Sequence, residues 1–408
     1  MKLTIHRGAA EIGGSCVEIT TQATRIVIDA GLPLDDSRAD ELPKIPGLFS
    51  PGQRVDAILL SHSHPDHSGL LYRTFADIPI YLTRVCSKML MVSSLYANQP
   101  NVARERQRII KAGVPITIGD ISVTAFDVDH SVFGACALLI EAEGKRVLYS
   151  GDLRLHGRKP GMTQRLLRHV AKHPIDVLVM EGTHMGSNRP AGMTEAELED
   201  ALVRLFSRAA SLALGFFSPP NLDRLVSFYR AARRSGRTFV VDRYSAAVMH
   251  LLHTDVRIPQ PSSAAGIRVY PNRAGRKVPK IERNFAGAAI TLAEILRDPE
   301  KYVLISRPSM IAADFESAVP TATLGVYSMW SGYLTKPDWI AVRDVIQNAP
   351  GDFVECHASG HISVPDIKKF VAGVNPARIL PIHTASPAEF RDAFNATIMA
   401  MDGDSIDV

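Results

Sequence analysis

The feature that most constrains this chain is a series of short apolar runs that stop at an ionisable residue. "VDAILLSH" stops at His62, "ISVTAFDVDH" at His130, "KRVLYSGD" at Asp152, "DVLVMEG" at Glu181 and "ARILPIH" at His383. Runs of this length, bounded by Gly, Asp and Pro, read as strands. With the earlier runs "LTIHRG", "SCVEIT" and "RIVIDAG" they make the first third of the sequence β-rich. Strands that deliver His, Asp or Glu at their C-terminal ends predict one sheet presenting a site along one edge.

The densest part of that site is "LLSHSHPDHSGLL", where His62, His64, Asp66 and His67 fall within six positions. Leaving a strand, His62 and His64 face the same way. Asp66 and His67, in the turn beyond, face a second point, an arrangement that suits two neighbouring metals. Imidazole nitrogen and carboxylate oxygen are zinc's non-thiolate ligands. A lone HxH would more simply be a capped turn with surface histidines, but Gly69 follows and more His and Asp close later strands. Cys16, Cys86, Cys136 and Cys356 form no CxxC pair, which argues against a disulfide framework or a thiolate finger.

A length of 408 residues with 46% hydrophobic content supports two or three domains with substantial cores. No 18-residue apolar run exists, and "MKLTIHRGAAEIGG" lacks the order of a secretory signal, so a cytoplasmic protein with no membrane partner is expected. A net charge of +4 permits a polyanionic partner without requiring one.

After Glu181 the pattern changes. "MTEAELEDALVRLFSRAA" opens with a capping box, Thr194 and Glu197, and spaces Leu198, Leu202 and Phe206 as a helix does. "LALGFF", "NLDRLVSFYRAARRSG" and "TFVV" then predict strand, helix, strand in a parallel unit, with the helix stopped by Gly236. "YVLIS" and "PDWIAVRDVIQNA" continue the alternation. The expected organisation is a first domain over 1–188, an inserted α/β domain over 189–350, and a return to the first domain over 351–408, where His357, His361 and His383 lie.

"VIDAG", "SHSHPDHSG", "VDHSVFG" and "YSGDLR" together resemble the metallo-β-lactamase superfamily. "MEGTHMG", the long insert, "HASGH" and "PIHT" resemble its β-CASP nucleases, the group that includes ribonuclease J. The resemblance covers essentially the full chain. It implies an αββα sandwich of two sheets with helices outside, interrupted by an α/β β-CASP domain. It also implies that Asp29 supports the metal loop, that His62, His64 and His130 hold a first zinc, and that Asp66, His67 and His383 hold a second, with Asp152 bridging. Asp66, Glu181 and His361 become the candidate catalytic residues, Glu181 and His361 as the pair that protonates the leaving group. His357 and Ser359 resemble substrate-phosphate contacts, and His184 stands where relatives often carry an aromatic ring. Manganese would also suit these ligands.

The implied activity is two-metal hydrolysis of single-stranded RNA to 5′-phosphate and 3′-hydroxyl ends. His383 in the last motif favours RNA over DNA, since the DNA-repair branch usually carries valine there. A DNA nuclease of the same fold, a metal-bound non-catalytic subunit of an RNA-processing complex and a small-molecule hydrolase are the competing classes. Ribonuclease J's assembly domain has no counterpart after His383, so a catalytic core is expected. Arg224, Arg230, Arg233, Arg234, Arg237 and Arg243, against two acids between Asp223 and Arg243, suggest a basic surface that tracks a phosphate backbone. "NRAGRKVPKIERNF" adds five more bases. Phe216, Phe217, Tyr244, Trp330 and Tyr333 are candidates for stacking on bases, with core packing as the competing role.

Overall fold

The structure is a computed structural model that describes residues 1–187, 192–271 and 279–408. The strands of the first third are β1 (Lys2–Arg7), β2 (Cys16–Thr20), β3 (Arg25–Ile28), β4 (Ala57–Leu59), β5 (Ile80–Thr83), β6 (Gln107–Ile110), β7 (Ile116–Ile118), β8 (Ile121–Asp127), β9 (Cys136–Ala142), β10 (Lys145–Tyr149) and β11 (Val177–Glu181). The insert supplies β12 (Ala213–Phe216), β13 (Thr238–Asp242), β14 (Ile267–Tyr270), β15 (Tyr302–Ile305), β16 (Leu324–Tyr327) and β17 (Asp352–Glu355). Two late strands, β18 (Arg378–Ile382) and β19 (Ser405–Asp407), follow.

The chain forms two compact units, Met1–Ala191 with Gly360–Val408, and Gly192–Ser359. The second crossing falls after β17 because β17 pairs with β16, so the insert runs on past the 350 expected from sequence. In the first unit, one sheet has the order β19-β1-β2-β3-β4-β5-β6 and the other β18-β11-β10-β9-β8-β7. Strand alternation sorts their side chains into layers. Ile26, Ile28, Ala57 and Leu59 of one sheet meet Val147, Tyr149, Val177 and Val179 of the other in a central core. Val27, Ile58, Ile80 and Leu82 turn outward with Cys86 and Leu90, while Leu139, Leu148, Leu178 and Met180 turn outward with Leu166 and Phe370. The result is the αββα sandwich.

The site-bearing strand ends therefore come from two sheets. His62 and His64 follow β4, whereas His130, Asp152, Glu181 and His383 follow β8, β10, β11 and β18. The expectation of a single sheet edge is corrected on this point: neither sheet alone contains all the ligating strands. The parallel pairs β10/β11 and β11/β18 run the same way, which brings Asp152, Glu181 and His383 to one end.

The insert sheet has the order β14-β13-β15-β12-β16-β17, with every pair parallel. Its helix Glu195–Arg208 opens with the capping box of Thr194 and Glu197, and Leu198, Leu202 and Phe206 are buried. Helix Leu222–Arg234 ends before Gly236, whose φ of +74° suits glycine. Among the described residues, no helix is long and apolar enough to cross a membrane.

Candidate metal centre and the adjoining acid–histidine pair

β4 hands the chain to Ser61 and His62, and Pro65 then starts a four-residue helix, Pro65–Ser68, that carries Asp66 and His67. The loop after β3, with Ser15 just ahead of β2, grips this helix through its backbone: Ser15 N donates to Asp66 O, Ala30 N to His67 O and Leu32 N to Pro65 O, at 2.8–3.0 Å. The approach is so close that a Cβ on Gly31 would lie 1.8 Å from Asp66 O. Asp29, at φ +61°, directs its buried carboxylate into the loop. It accepts from Ser61 N at 2.8 Å, Ser61 Oγ at 2.7 Å, His67 Nδ1 at 2.7 Å and Tyr149 Oη at 2.8 Å. Asp29 is thus occupied in holding the loop.

The hydrogen bonds decide which nitrogen each imidazole turns inward. His130 Nδ1 donates to Gly360 O at 2.7 Å, and His67 Nδ1 to Asp29. His62 Nδ1 lies 3.1 Å from Ser61 Oγ, whose own proton goes to Asp29. His383 Nδ1 lies 3.0 Å from Thr183 Oγ1. In each case Nε2 is left to face the cluster, because the partner on Nδ1 fixes the tautomer and the direction of the ring, as it does for metal-binding histidines. His62 Nε2 and His130 Nε2 come within 3.2 and 3.1 Å of His64 Nδ1.

Burial holds all three of those rings below the ordinary histidine range, His64 down to about 4. At neutral pH three uncharged imidazoles therefore turn a nitrogen toward one point, an arrangement that suits a cation.

A second group gathers beside the first. Ligand atoms of Asp66, His67, Asp152 and His383 lie within 4.8 Å of one another, as do those of His62, His64 and His130. Both carboxylate oxygens of Asp152 are buried without a hydrogen-bond partner, and so is His67 Nε2, although the two residues approach to 3.2 Å. Burial opposes ionisation of Asp152 and Asp66, yet histidines outweigh it and hold both carboxyls well below the usual range. A buried, ionised and unsatisfied carboxylate among inward-facing imidazoles is a cation site by its chemistry. These residues fit a metal.

Glu181 and His361 adjoin this cluster. Glu181 Oε1 accepts from Leu153 N at 2.9 Å, and Oε2 lies 3.1 Å from His361 Nδ1. Burial works against a charged His361, but Glu181 and then Asp152 overcome it and raise the imidazole to about 9. The ring therefore carries its proton at neutral pH. Thr183, which sequence reading passed over inside "MEGTHMG", joins the two parts. Its hydroxyl donates to Glu181 Oε2 at 2.8 Å and stands 3.0 Å from Nδ1 of both His361 and His383. One proton and two lone pairs serve all three partners. Tyr149 and the buried Arg154–Asp129 pair, at 3.1 Å, are further supports that only folding exposes. His184 is an aromatic neighbour of His361, with ring centroids 6.3 Å apart.

The first unit thus gathers His62, His64, Asp66, His67, His130, Asp152, Glu181, His361 and His383, with Asp29 behind them. His357 and Ser359 belong to the inserted unit, where Arg224 Nη1 lies 3.2 Å from His357 Nδ1.

The expected basic surface is corrected. Arg224 is buried against Glu195 at 3.0 Å, Arg243 against Glu282 at 2.8 Å, and Arg237 is buried on the carbonyls of Ser211 and Ala209. Arg230 and Arg234 pair with Glu199, and Arg234 also pairs with Asp200. Acids far away in sequence supply the compensation that a local charge count misses. Arg273, Arg276 and Lys277 of the second basic stretch lie outside the described residues.

Residues 24–214 match the family of the beta-lactamase superfamily domain. The chain is similar to a probable RNase MJ4 of Methanocaldococcus jannaschii, with 30% identity over 207 residues covering 46% of each protein. It is also similar to ribonuclease J of Helicobacter pylori, with 22% identity over 404 residues covering 94% of this chain and 56% of that protein. The chain spans about half the length of these curated relatives. A crystal structure of a protein of unknown function from Enterococcus faecalis V583 superposes with a TM-score of 0.82 at 23% identity, covering 99% of both chains, and so shares the fold. Residues 24–214 thus match the beta-lactamase superfamily domain, and the similarity to proteins named as ribonucleases extends over most of the chain.

Proposed function

We propose that this protein is a metal-dependent ribonuclease of the cytoplasm that hydrolyses single-stranded RNA to 5′-phosphate and 3′-hydroxyl ends. The observation that carries the reading is the buried Asp152 carboxylate, unsatisfied on both oxygens, which belongs to one ligand group, lies 3.7 and 3.9 Å from His62 and His130 of the other, and stands 3.7 Å from His361. His62, His64 and His130 would hold one zinc, and Asp66, His67 and His383 a second, with Asp152 shared; manganese suits the same donors. Bound there, the ions would supply Lewis acidity toward water and phosphate oxygens.

The chain's own residues do the rest. Asp66 and Asp152 bring negative charge that balances the cations, and Asp29, Tyr149 and Ser61 keep the loop rigid. Hydrolysis adds the oxygen of water to phosphorus and breaks the bond to the 3′ oxygen. His361 gives that departing oxygen its proton, and the proton left by water goes to solvent. Glu181 orients His361 and favours its charged form. The four free cysteines are all buried, which suits a reducing compartment. RNA is favoured over DNA by the ribonuclease names of the relatives.

The test is degradation of end-labelled single-stranded RNA and DNA by protein of known metal content at matched salt, comparing 5′-monophosphate and 5′-hydroxyl ends. Faster RNA loss that falls about 10²- to 10⁴-fold in His361→Ala, with metal content retained, is the expected result. Faster loss of DNA would replace the substrate. No cleavage of either polymer by the metal-loaded protein would overturn the reading.

A further inference from the structure

Of the aromatic residues that sequence singled out, the fold buries Phe216, Phe217 and Tyr244 and leaves two out: Trp330 is 50% exposed and Tyr333 38%. They lie in the segment after β16, at the C-terminal end of the parallel insert sheet. Their neighbours Met329 and Leu334 pack onto the insert's core, so the segment is anchored while these two rings turn away from it. The rings meet edge to face, with centroids 5.2 Å apart at 86°. Gly332 between them makes this possible, because a Cβ there would lie 2.4 Å from the indole of Trp330.

The platform is held from beneath. Tyr327 Oη donates to Trp330 O at 2.8 Å. Arg224, with no exposed surface, donates through Nη1 to both Ser328 O and Ser328 Oγ at 2.6 Å. Its Nη2 donates to Ala358 O at 2.7 Å and to Glu195 at 3.0 Å. One buried guanidinium therefore ties the segment carrying Trp330 to Cys356–Ser359, which leads along the chain into Gly360 and His361. Parallel sheets bind ligands at the carboxyl ends of their strands, where neighbouring connections diverge. Here the connection after β12 runs toward β13 and that after β16 toward β17, on opposite sides.

We propose that Trp330 and Tyr333 form a stacking platform for a base of single-stranded RNA. The inference rests on the ribonuclease reading. An exposed indole on rigid backbone offers a π-face to any base at little entropic cost, which binds sequence-tolerantly. Lys336, 5.5 Å from the Tyr333 ring, adds a cation beside the platform, which suits a nucleic-acid strand. The platform also supplies a contact to substrate in a unit where Arg224, Arg230, Arg234, Arg243 and Arg307 are engaged in ion pairs.

The chain has two tryptophans, and Trp339 is buried, so tryptophan emission reports on Trp330. The experiment titrates His361→Ala protein, which binds without turnover, with a single-stranded RNA 12-mer. It also measures KM for a 20-mer and cleavage of a bis-aryl phosphodiester, which carries no nucleobase. Expected are saturable quenching that is absent in Trp330→Leu, and a KM raised about tenfold in Trp330→Ala and Tyr333→Ala. Trp330→Phe should recover most of the KM, and the small diester should be cleaved normally by every platform variant, which excludes misfolding. RNA cleavage by the wild type with no quenching and an unchanged KM in Trp330→Ala overturns the platform and leaves the ribonuclease reading intact. Failure of the wild type to bind or cleave RNA overturns the ribonuclease reading and the platform with it.

Discussion

Replacing Glu181 by Gln tests the acid most directly. His361 is raised from the ordinary 6.5 to about 9 against the opposing pull of burial, with Glu181 the largest of the raising influences and Asp152 the next. The distance between those values corresponds to roughly 3 kcal/mol of preference for the charged ring. Bound cations would offset the share due to Asp152, so the part that survives in the loaded protein belongs mainly to Glu181. Glutamine keeps the shape and an acceptor oxygen but removes the charge. The general acid works while protonated, so the alkaline limb of the pH–rate profile marks its loss. In Glu181→Gln that limb should move toward acid by about 1 to 2 pH units, and kcat at pH 8 should fall roughly 2- to 10-fold. The same pair contributes to folding. A raised imidazole stabilises fully below 6.5, and that contribution is lost as pH climbs through about 9. The assay is kcat/KM on defined RNA from pH 6 to 10, with metal content checked at each end. An alkaline limb that stays in place while activity falls would refute the assignment of His361 as the proton donor governed by Glu181.

Other outcomes follow from the same contacts. Asp152→Ala should lose metal, measured by elemental analysis, together with activity, because both ligand groups lean on that carboxylate. Thr183→Val should weaken metal retention about 10- to 100-fold in chelator competition and lower kcat, while Thr183→Ser, which keeps the hydroxyl, should restore both. Tyr149→Phe removes one of the four bonds to Asp29 and should cost about 1.5 to 3 kcal/mol in thermal or denaturant unfolding, with little change in metal content.

Much of the site was legible in the chain because ligating residues cluster where strands end. His62, His64, Asp66 and His67 sit in one turn, and the spacing of apolar residues before them marks the strand that ends there. The capping box at Thr194 and the glycine stop at Gly236 were legible for the same reason: both are local chemistry within a few residues. Thr183 was not, since a threonine between two motif residues looks like any loop hydroxyl until His361 and His383 arrive from 178 and 200 residues away. The arginines misled for the complementary reason. Arg224 and Arg243 read as surface charge until Glu195 and Glu282, 29 and 39 residues distant, neutralise them in the interior.

The sequence by itself determined the chemistry available: which side chains can ligate a cation, where strands and helices begin, and that an α/β insert interrupts the first unit. Only the tertiary structure decided how those groups are used. Two sheets must pack before His62 can meet Asp152, and the chain must return from the insert before Glu181 can meet His361. Tautomer, ionisation and exposure depend on partners that lie far away along the chain. Periodicity reaches a few residues, whereas the pairing of Asp29 with Tyr149 and the burial of Phe216 beside the exposure of Trp330 are set by long-range packing.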